Sequence, residues 1–260
     1  MINFLDRPSL LSKGVYLQVP VRITLLDESI IRSNEPEEVL TYKYNKLGNR
    51  FIIPWRKIKG KLRRLVLEKQ RYYNIEPSCS LKDDLCMQCP SCFLFGGTGE
   101  TSSANVPYNI LSRIYGETFI SEQPAEEINP YTANAVSERD LSTGQALMTI
   151  LTVPKETTFL GVVTIKDPTL EMASIIIDNL KRLTRIGARS VEWGRVKTEI
   201  LGYHLSDRED LSAYLKMANI DVDFSCSGLQ NETSFPSIKN SYETLNVQVK
   251  ELIKSLTESN

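Results

Sequence analysis

Three features of the 260-residue chain predict an α+β fold: strict apolar alternation near the start, two well-spaced helical patterns, and β-rich runs between and after those helices. In chain order these read β-α-β-β-α-β. That is the ferredoxin-like order, which RNA-recognition (RRM-like) domains share. A fold of this kind hosts many functions, so the function has to come from particular residues.

The first strand is carried by Val15, Leu17, Val19, Val21, Ile23 and Leu25, every odd position being apolar. The polar stretch DESIIRSNEPEE that follows reads as a loop. Pro54 then opens a helix running to about Tyr72, with Ile58, Leu62, Leu65 and Val66 as its apolar stripe. From Tyr73 to Gly144 the pattern is irregular and holds four cysteines and the glycine cluster FLFGGTG. An insertion that long usually has a use. Two β-rich runs follow, Ala146–Val153 and Thr158–Ile165, with Pro154 and Lys155 in the turn between them.

Asp167 and Pro168 predict a helix start, as N-cap and first helical residue, for a helix carrying Leu170, Ile175, Ile176, Leu180 and Leu183 and stopping near Gly187. A last strand is expected over Arg195–Tyr203. An amphipathic helix with Leu245, Val249, Leu252, Ile253 and Leu256 closes the chain. Residues 1–72 and 144–206 are thus expected to form the core unit. Residues 73–143 form an insertion, and 207–260 pack onto the core unit.

Composition bounds the partners. Hydrophobic residues make up 41% of the chain, enough for a sizeable core. No run of eighteen apolar residues is present, so no membrane-spanning helix is expected. The start, MINFLDRPSLL, lacks a secretion-signal pattern, and a cytoplasmic location is expected. The net charge is −1, but Arg56–Arg71 holds eight basic residues and one acid, +7 against −8 elsewhere. Such a stripe suits an anionic partner, or else is a solvated helix face.

The motif FIIPWRKIKGKLRR offers Trp55, Arg56, Lys57, Lys59, Gly60, Lys61, Arg63 and Arg64 as candidate nucleic-acid contacts. A proline-led helix aims free N–H groups at an anion, and the cations add donors. Gly60 costs about 1 kcal/mol of helix propensity, so something is expected to pack closely there, a ligand or another helix. In RIGARSVEWGRVKTEI, Gly187, Arg189 and Arg195 suit a phosphate-cradling loop, or plain caps and turns. Cys79, Cys86, Cys89 and Cys92 can close a tetrahedral zinc site of structural kind, with packing cysteines as the alternative. Cys226 is too distant in sequence to be expected as a ligand. His204, the single histidine, gives little basis for histidine acid–base chemistry.

Taken together, these motifs resemble the RAMP superfamily of CRISPR proteins, in particular the backbone subunits that line guide RNA. Those relatives carry a proline-led helix of the form IPGSSLKGALR, and this chain has IIPWRKIKGKLRR. A cysteine-containing segment ending in leucine–phenylalanine–glycine is matched by CPSCFLFGG. An arginine-containing run before a hairpin is matched by AVSERDLSTGQALMTILTVPKETTFLGVV, which adds Arg139 as a candidate contact. A glycine–arginine segment before the last strand is matched by RIGARSVEWGRV. The cysteine-rich insertion and the length are most similar to the Csc-type protein of type I-D effector complexes. WRKIKG stands where type III relatives have small residues, and SVEWG stands where they are glycine-richer.

The resemblance implies a hand-like subunit. The ferredoxin-like core is its palm, and part of the insertion, around Ala104–Arg139, is a thumb. It implies the spacer part of crRNA as partner, with copies of itself, other effector subunits and the paired target nucleic acid. Type III relatives cut target RNA with an aspartate after the first strand. Asp27 and Glu28 stand in that loop here, as catalytic candidates or as ordinary strand-end residues. An unrelated zinc-stapled RNA-binding domain is the alternative outside the superfamily.

Overall fold

The computed structural model of the chain describes residues 2–32, 39–81, 84–100, 102–125, 129–136, 143–219, 224 and 235–258. In chain order these form strands β1 (Tyr16–Leu25), β2 (Thr41–Tyr44) and β3 (Gly48–Ile53), then helices α1 (Trp55–Tyr72) and α2 (Pro90–Phe95). Strands β4 (Ile114–Gly116), β5 (Phe119–Pro124), β6 (Asn129–Val136), β7 (Thr143–Thr152) and β8 (Thr158–Lys166) come next. Helix α3 (Leu170–Lys181), strands β9 (Val196–Ile200) and β10 (His204–Ser206), and helices α4 (Ala213–Met217) and α5 (Ile238–Glu258) complete the order.

One mixed layer results: an antiparallel sheet of order β10-β1-β8-β5-β3-β2, with β9 also beside β1 and β4 also beside β8. The alternation of β1 works as the sequence predicts. Leu17, Val19, Val21, Ile23 and Leu25 are fully buried, in one core with apolar residues of α1, α3 and α5. The opposite face of β1 is not simply solvated. Gln18 is buried there and clasps Leu211, its Nε2 donating to Leu211 O at 3.1 Å and its Oε1 accepting Leu211 N–H at 2.8 Å.

Pro20 sits in the middle of this central strand, where a missing N–H would normally be costly. Its carbonyl accepts from Leu201 N at 2.9 Å, so the absent donor also points toward residues 201–203. There the neighbouring edge breaks between β9 and β10. The expected strand over Arg195–Tyr203 is therefore corrected to the shorter β9, with β10 following beyond Tyr203, because the proline leaves no donor to hold residues 201–203.

The helix start expected at Asp167 is also corrected. Asp167 has φ +49° and is buried; its Oδ1 accepts the N–H groups of Lys13 and Val15, and its Oδ2 binds Arg113 Nη1 at 3.2 Å. Thr169 is the N-cap instead, its hydroxyl accepting from Met172 N at 3.3 Å. The helix ends at Lys181, short of Gly187, because the chain turns to place residues 185–195 beside β1's loop.

Expected strand 146–153 exists as most of β7, but it pairs with β6 in a separate two-stranded sheet. Its expected place beside β8 is held by β4 and β5, which come from inside the segment 73–143. Hairpin β2–β3 extends the sheet at its far edge.

Candidate nucleic-acid interface and metal centre

Helix α1 starts at Pro54, which stands as its N-cap, one residue before the first helical position. Ile58, Leu62, Leu65, Val66 and Leu67 are buried. That anchors the helix and fixes where each cation points. Lys57, Lys61 and Arg64, three or four residues apart, share one face as helical spacing demands. With Arg56 and Gly60 they line a cleft of about 330 Å³. Its opposite wall is Arg185, Ile186, Gly187, Ala188 and Ser190. The charged residues lining the cleft are all basic.

Gly60 explains itself in this setting. A Cβ built there meets no atom within 4 Å, so nothing in the described chain uses the space. The cleft's far wall is equally specific. Gly187 has φ +85°, and a Cβ on it would lie 2.7 Å from Ser29 Oγ and 2.8 Å from Ile30 O. Gly194, at φ +77°, would place a Cβ 2.0 Å from Ile186 O. Both positions therefore require glycine. Arg185 Nη1 ties the loop together by donating to Ser190 O at 2.8 Å and Trp193 O at 3.3 Å. The glycine–arginine segment signalled this loop. Arg185 was missed because its bonds to its own loop are invisible in spacing.

The remaining candidates lie elsewhere on the surface. Lys59 points along a different flank of α1 and donates to Ser112 Oγ at 2.9 Å. Two guanidinium nitrogens of Arg63, Nε and Nη2, are buried without a partner among the described residues. Burial lowers the pKa of Lys57, with the charge of Arg56 adding to it; burial likewise lowers Lys59, with Arg63 adding. Trp55 is packed: a Cβ on Gly116 would lie 2.7 Å from its ring. Arg189 stands at φ +47° in the exposed loop. Arg139 lies outside the described residues, as do Cys226 and part of the segment proposed as a thumb.

Asp27 and Glu28 are both engaged. Asp27 Oδ1 accepts Arg195 N–H at 2.7 Å, and its Oδ2 accepts from Arg195 Nε at 2.8 Å. Burial works to raise the pKa of Asp27, but the bonds and charge of Arg195 outweigh it and hold the carboxyl below its usual range. Glu28 Oε2 accepts from Thr152 Oγ1 at 2.9 Å. Arg195 is thus turned toward Asp27, not toward the cleft.

The four cysteines converge. Cys79, Cys86, Cys89 and Cys92 bring sulfurs that all lie within 4.8 Å of one another. The Cys79–Cys92 separation is 3.6 Å. A tetrahedral ion with metal–sulfur bonds of about 2.3 Å needs edges near 3.8 Å, so the set fits a metal ion and is compatible with zinc. Cys89 caps α2, its sulfur accepting from Cys92 N at 3.5 Å. Crowding splits the protons: the Cys86, Cys89 and Cys92 thiols lower the pKa of Cys79, while the bond to Cys79 raises each of the others. The cluster is braced against α1. Gln70 Oε1 accepts Ser91 N–H at 2.7 Å, and Arg71 Nη2 donates to Cys79 O at 3.3 Å. No described helix is long and apolar enough to cross a membrane.

Comparison with known proteins places this architecture. No protein of curated function matches the sequence. Among solved structures, Csc2 of Thermofilum pendens shares the fold, with a TM-score of 0.62 and 20% identity over 96% of this chain and 84% of that one. A chain of a type IV-B CRISPR complex is also similar, with a TM-score of 0.55 and 13% identity over 85% of this chain and 96% of that one. The family described as Csc2 Crispr matches residues 45–253, which include α1, the cysteine cluster and the glycine–arginine loop. The chain therefore belongs to the Csc2 family of CRISPR proteins.

Proposed function

We propose that this CRISPR effector subunit binds the spacer part of guide RNA along its phosphates and repeats along that RNA as a type I-D backbone protein. The single observation that carries the reading is the α1 cleft. It is lined by cations and no acid, and it has an open space at Gly60 that the described chain does not fill. Lys57, Lys61 and Arg64 supply charge to phosphate oxygens, and the loop at Gly187 lets an RNA backbone approach closely. Phosphate contacts fix position without reading bases, which leaves the guide free to pair with target.

In this reading β1, α1, β4 with β5, β8, α3 and β9 form a ferredoxin-like palm. The cysteine segment before β4, residues 73–113, and the hairpin β6–β7 are its appendages. Zinc is the proposed metal at the four cysteines, where it would staple the insertion to α1. Family membership supports partnership with crRNA, copies of the chain, other effector subunits and a paired target, in the cytoplasm. The competing function is target cleavage by Asp27 or Glu28. The ties of Asp27 to Arg195 and of Glu28 to Thr152 favour a structural role for both.

The test is binding of three unrelated thirty-nucleotide RNAs and a hairpin across a salt series. The single strands should bind within a few-fold of one another and better than the hairpin. Changing Lys57, Lys61 and Arg64 together to alanine should reduce the salt slope by about 0.7 per lost phosphate contact. An unchanged slope in a folded variant would remove this assignment.

A further inference from the structure

The far edge of the sheet carries a row of three tyrosines on the face turned away from α1. Leu160 and Val162 of β8 pack with Leu211 and Ala213, whereas Phe159 and Val163 belong to the core that holds α1. Helix α4 therefore lies on the face opposite α1. Its Tyr214 stacks on Tyr44 of β2, with ring centroids 5.7 Å apart at 29°. Tyr42, two residues earlier on the same strand, meets Tyr44 edge-on at 4.7 Å and 65°.

Packing accounts for two of the three. Tyr44 and Tyr214 are half-buried and pin α4 to the end strand. Tyr42 is 57% exposed, so much of its ring is offered to solvent, contiguous with the other two. The charges around the row are of one sign. Residues 41–50 hold Lys43, Lys46 and Arg50 and no acid. Arg50 stands opposite Tyr42 in the strand register. Its guanidinium donates to the carbonyls of Leu47 and Glu122, which fix its position and leave its charge unneutralised. Lys43 and Lys46 are exposed. The neighbouring carboxylates are engaged elsewhere: Glu122 pairs with Arg22 at 3.1 Å, and both oxygens of Glu117 accept from Ser212 and Ala213.

Rings and cations alternating along one strand select the occupant. Every nucleobase has a flat face that stacks on an aromatic ring, and the backbone beside it carries phosphates that lysine and arginine hold. An acidic peptide answers the cations but leaves the rings uncovered. A duplex hides its base faces. An open row at a sheet edge suits a strand that runs past it. We propose that Tyr42, Tyr44 and Tyr214, with Lys43, Lys46 and Arg50, form a stacking platform for the unpaired bases of a single-stranded nucleic acid. Stacking and charge take no account of the sugar, so RNA and DNA strands are accepted alike. The assignment does not depend on RNA binding at α1. This surface lies on the other face of the sheet and takes base faces, whereas the α1 cleft is assigned to phosphates.

Photo-crosslinking and affinity measurements on the full chain test it. The crosslinking probes are ten-nucleotide uridine and thymidine strands, each carrying one 5-iodouracil. Mass spectrometry should find adducts at Tyr42, Tyr44 or Tyr214 with both sugars. In fluorescence anisotropy, Tyr42→Ser should weaken binding of a labelled uridine strand about fivefold or more. Tyr42→Phe, which keeps the ring, should bind like wild type. An abasic strand of equal length should bind Tyr42→Ser and wild type equally. Failure of the α1 assignment would leave the tyrosine adducts in place, so the two readings fail separately. Adducts confined to other residues, an equal loss for the abasic strand, or displacement of the uridine strand from Tyr42 by a blocked glutamate-rich peptide at lower concentration would overturn the proposal.

Discussion

Gly60 sets two properties of the chain against each other. In a helix it costs about 1 kcal/mol relative to alanine, and the added methyl would meet nothing within 4 Å. Gly60→Ala should therefore raise the stability of the free protein by about that amount in chemical denaturation. The same methyl enters the cleft, so RNA affinity should fall while stability rises. A variant that gained in both would show that the space has no ligand. Asp27 gives a pH signature. Its folded pKa is lowered, so the stability it contributes is complete above its ordinary value of 3.8 and is lost as pH falls through the lowered value. The stability gap between wild type and Asp27→Asn should be steady near neutrality and close in that acid window, as read from unfolding at a series of pH values. The buried Arg113–Asp167 pair is of another kind. It ties the Lys13–Val15 segment to the end of β8, and removing one partner of such a pair typically costs about 3–5 kcal/mol.

At the scale of elements, what could be read from sequence was what local periodicity encodes. The stripes of α1 and α5 and the alternation of β1 each repeat within one segment, so each was legible. The strands of TYKY and GNRFII were not, because four- and six-residue strands at a sheet edge owe their form to neighbours rather than to their own pattern. The run 146–153 was legible as a strand, but its partner was not, since pairing joins residues that no local pattern connects. The same limit explains Asp167, whose partners lie at positions 13, 15 and 113. In the candidate site the cations that α1 contributes stand among the sequence candidates, and helical spacing alone puts Lys57, Lys61 and Arg64 on one face; the wall opposite them needed the fold. For the cysteine segment the expectation is about one zinc per chain by elemental analysis. Chelation should release the insertion, seen as faster proteolysis between residues 73 and 113 with α1 still protected. Metal-free protein that resists protease equally well would make these packing cysteines.

For the whole molecule, the hairpin β6–β7 stands apart from the main sheet in its strand pairing. It forms its own two-stranded sheet, and a lone hairpin is at best marginally stable in water. Asn129 faces Thr152 across its base, so a short glycine–serine link can replace residues 130–151 without straining the sheet. Such a chain should keep nearly its full melting temperature but lose the length-dependent gain in RNA affinity expected from the proposed contact between neighbouring copies. Retained cooperativity would place the contact elsewhere.

The partners of β1 have a consequence for how the protein is made. Its neighbours in the sheet are β8, β9 and β10, so this buried strand makes its backbone pairing only with residues from position 156 onward. At ribosomal rates of about 5–20 residues per second, that apolar strand leaves the ribosome many seconds before its first partner exists. Until then it is an unpaired, aggregation-prone segment, and loop closure across so long a span is slow. Nascent chains stalled before β8 should therefore bind holding chaperones, and those stalled beyond β10 should release them.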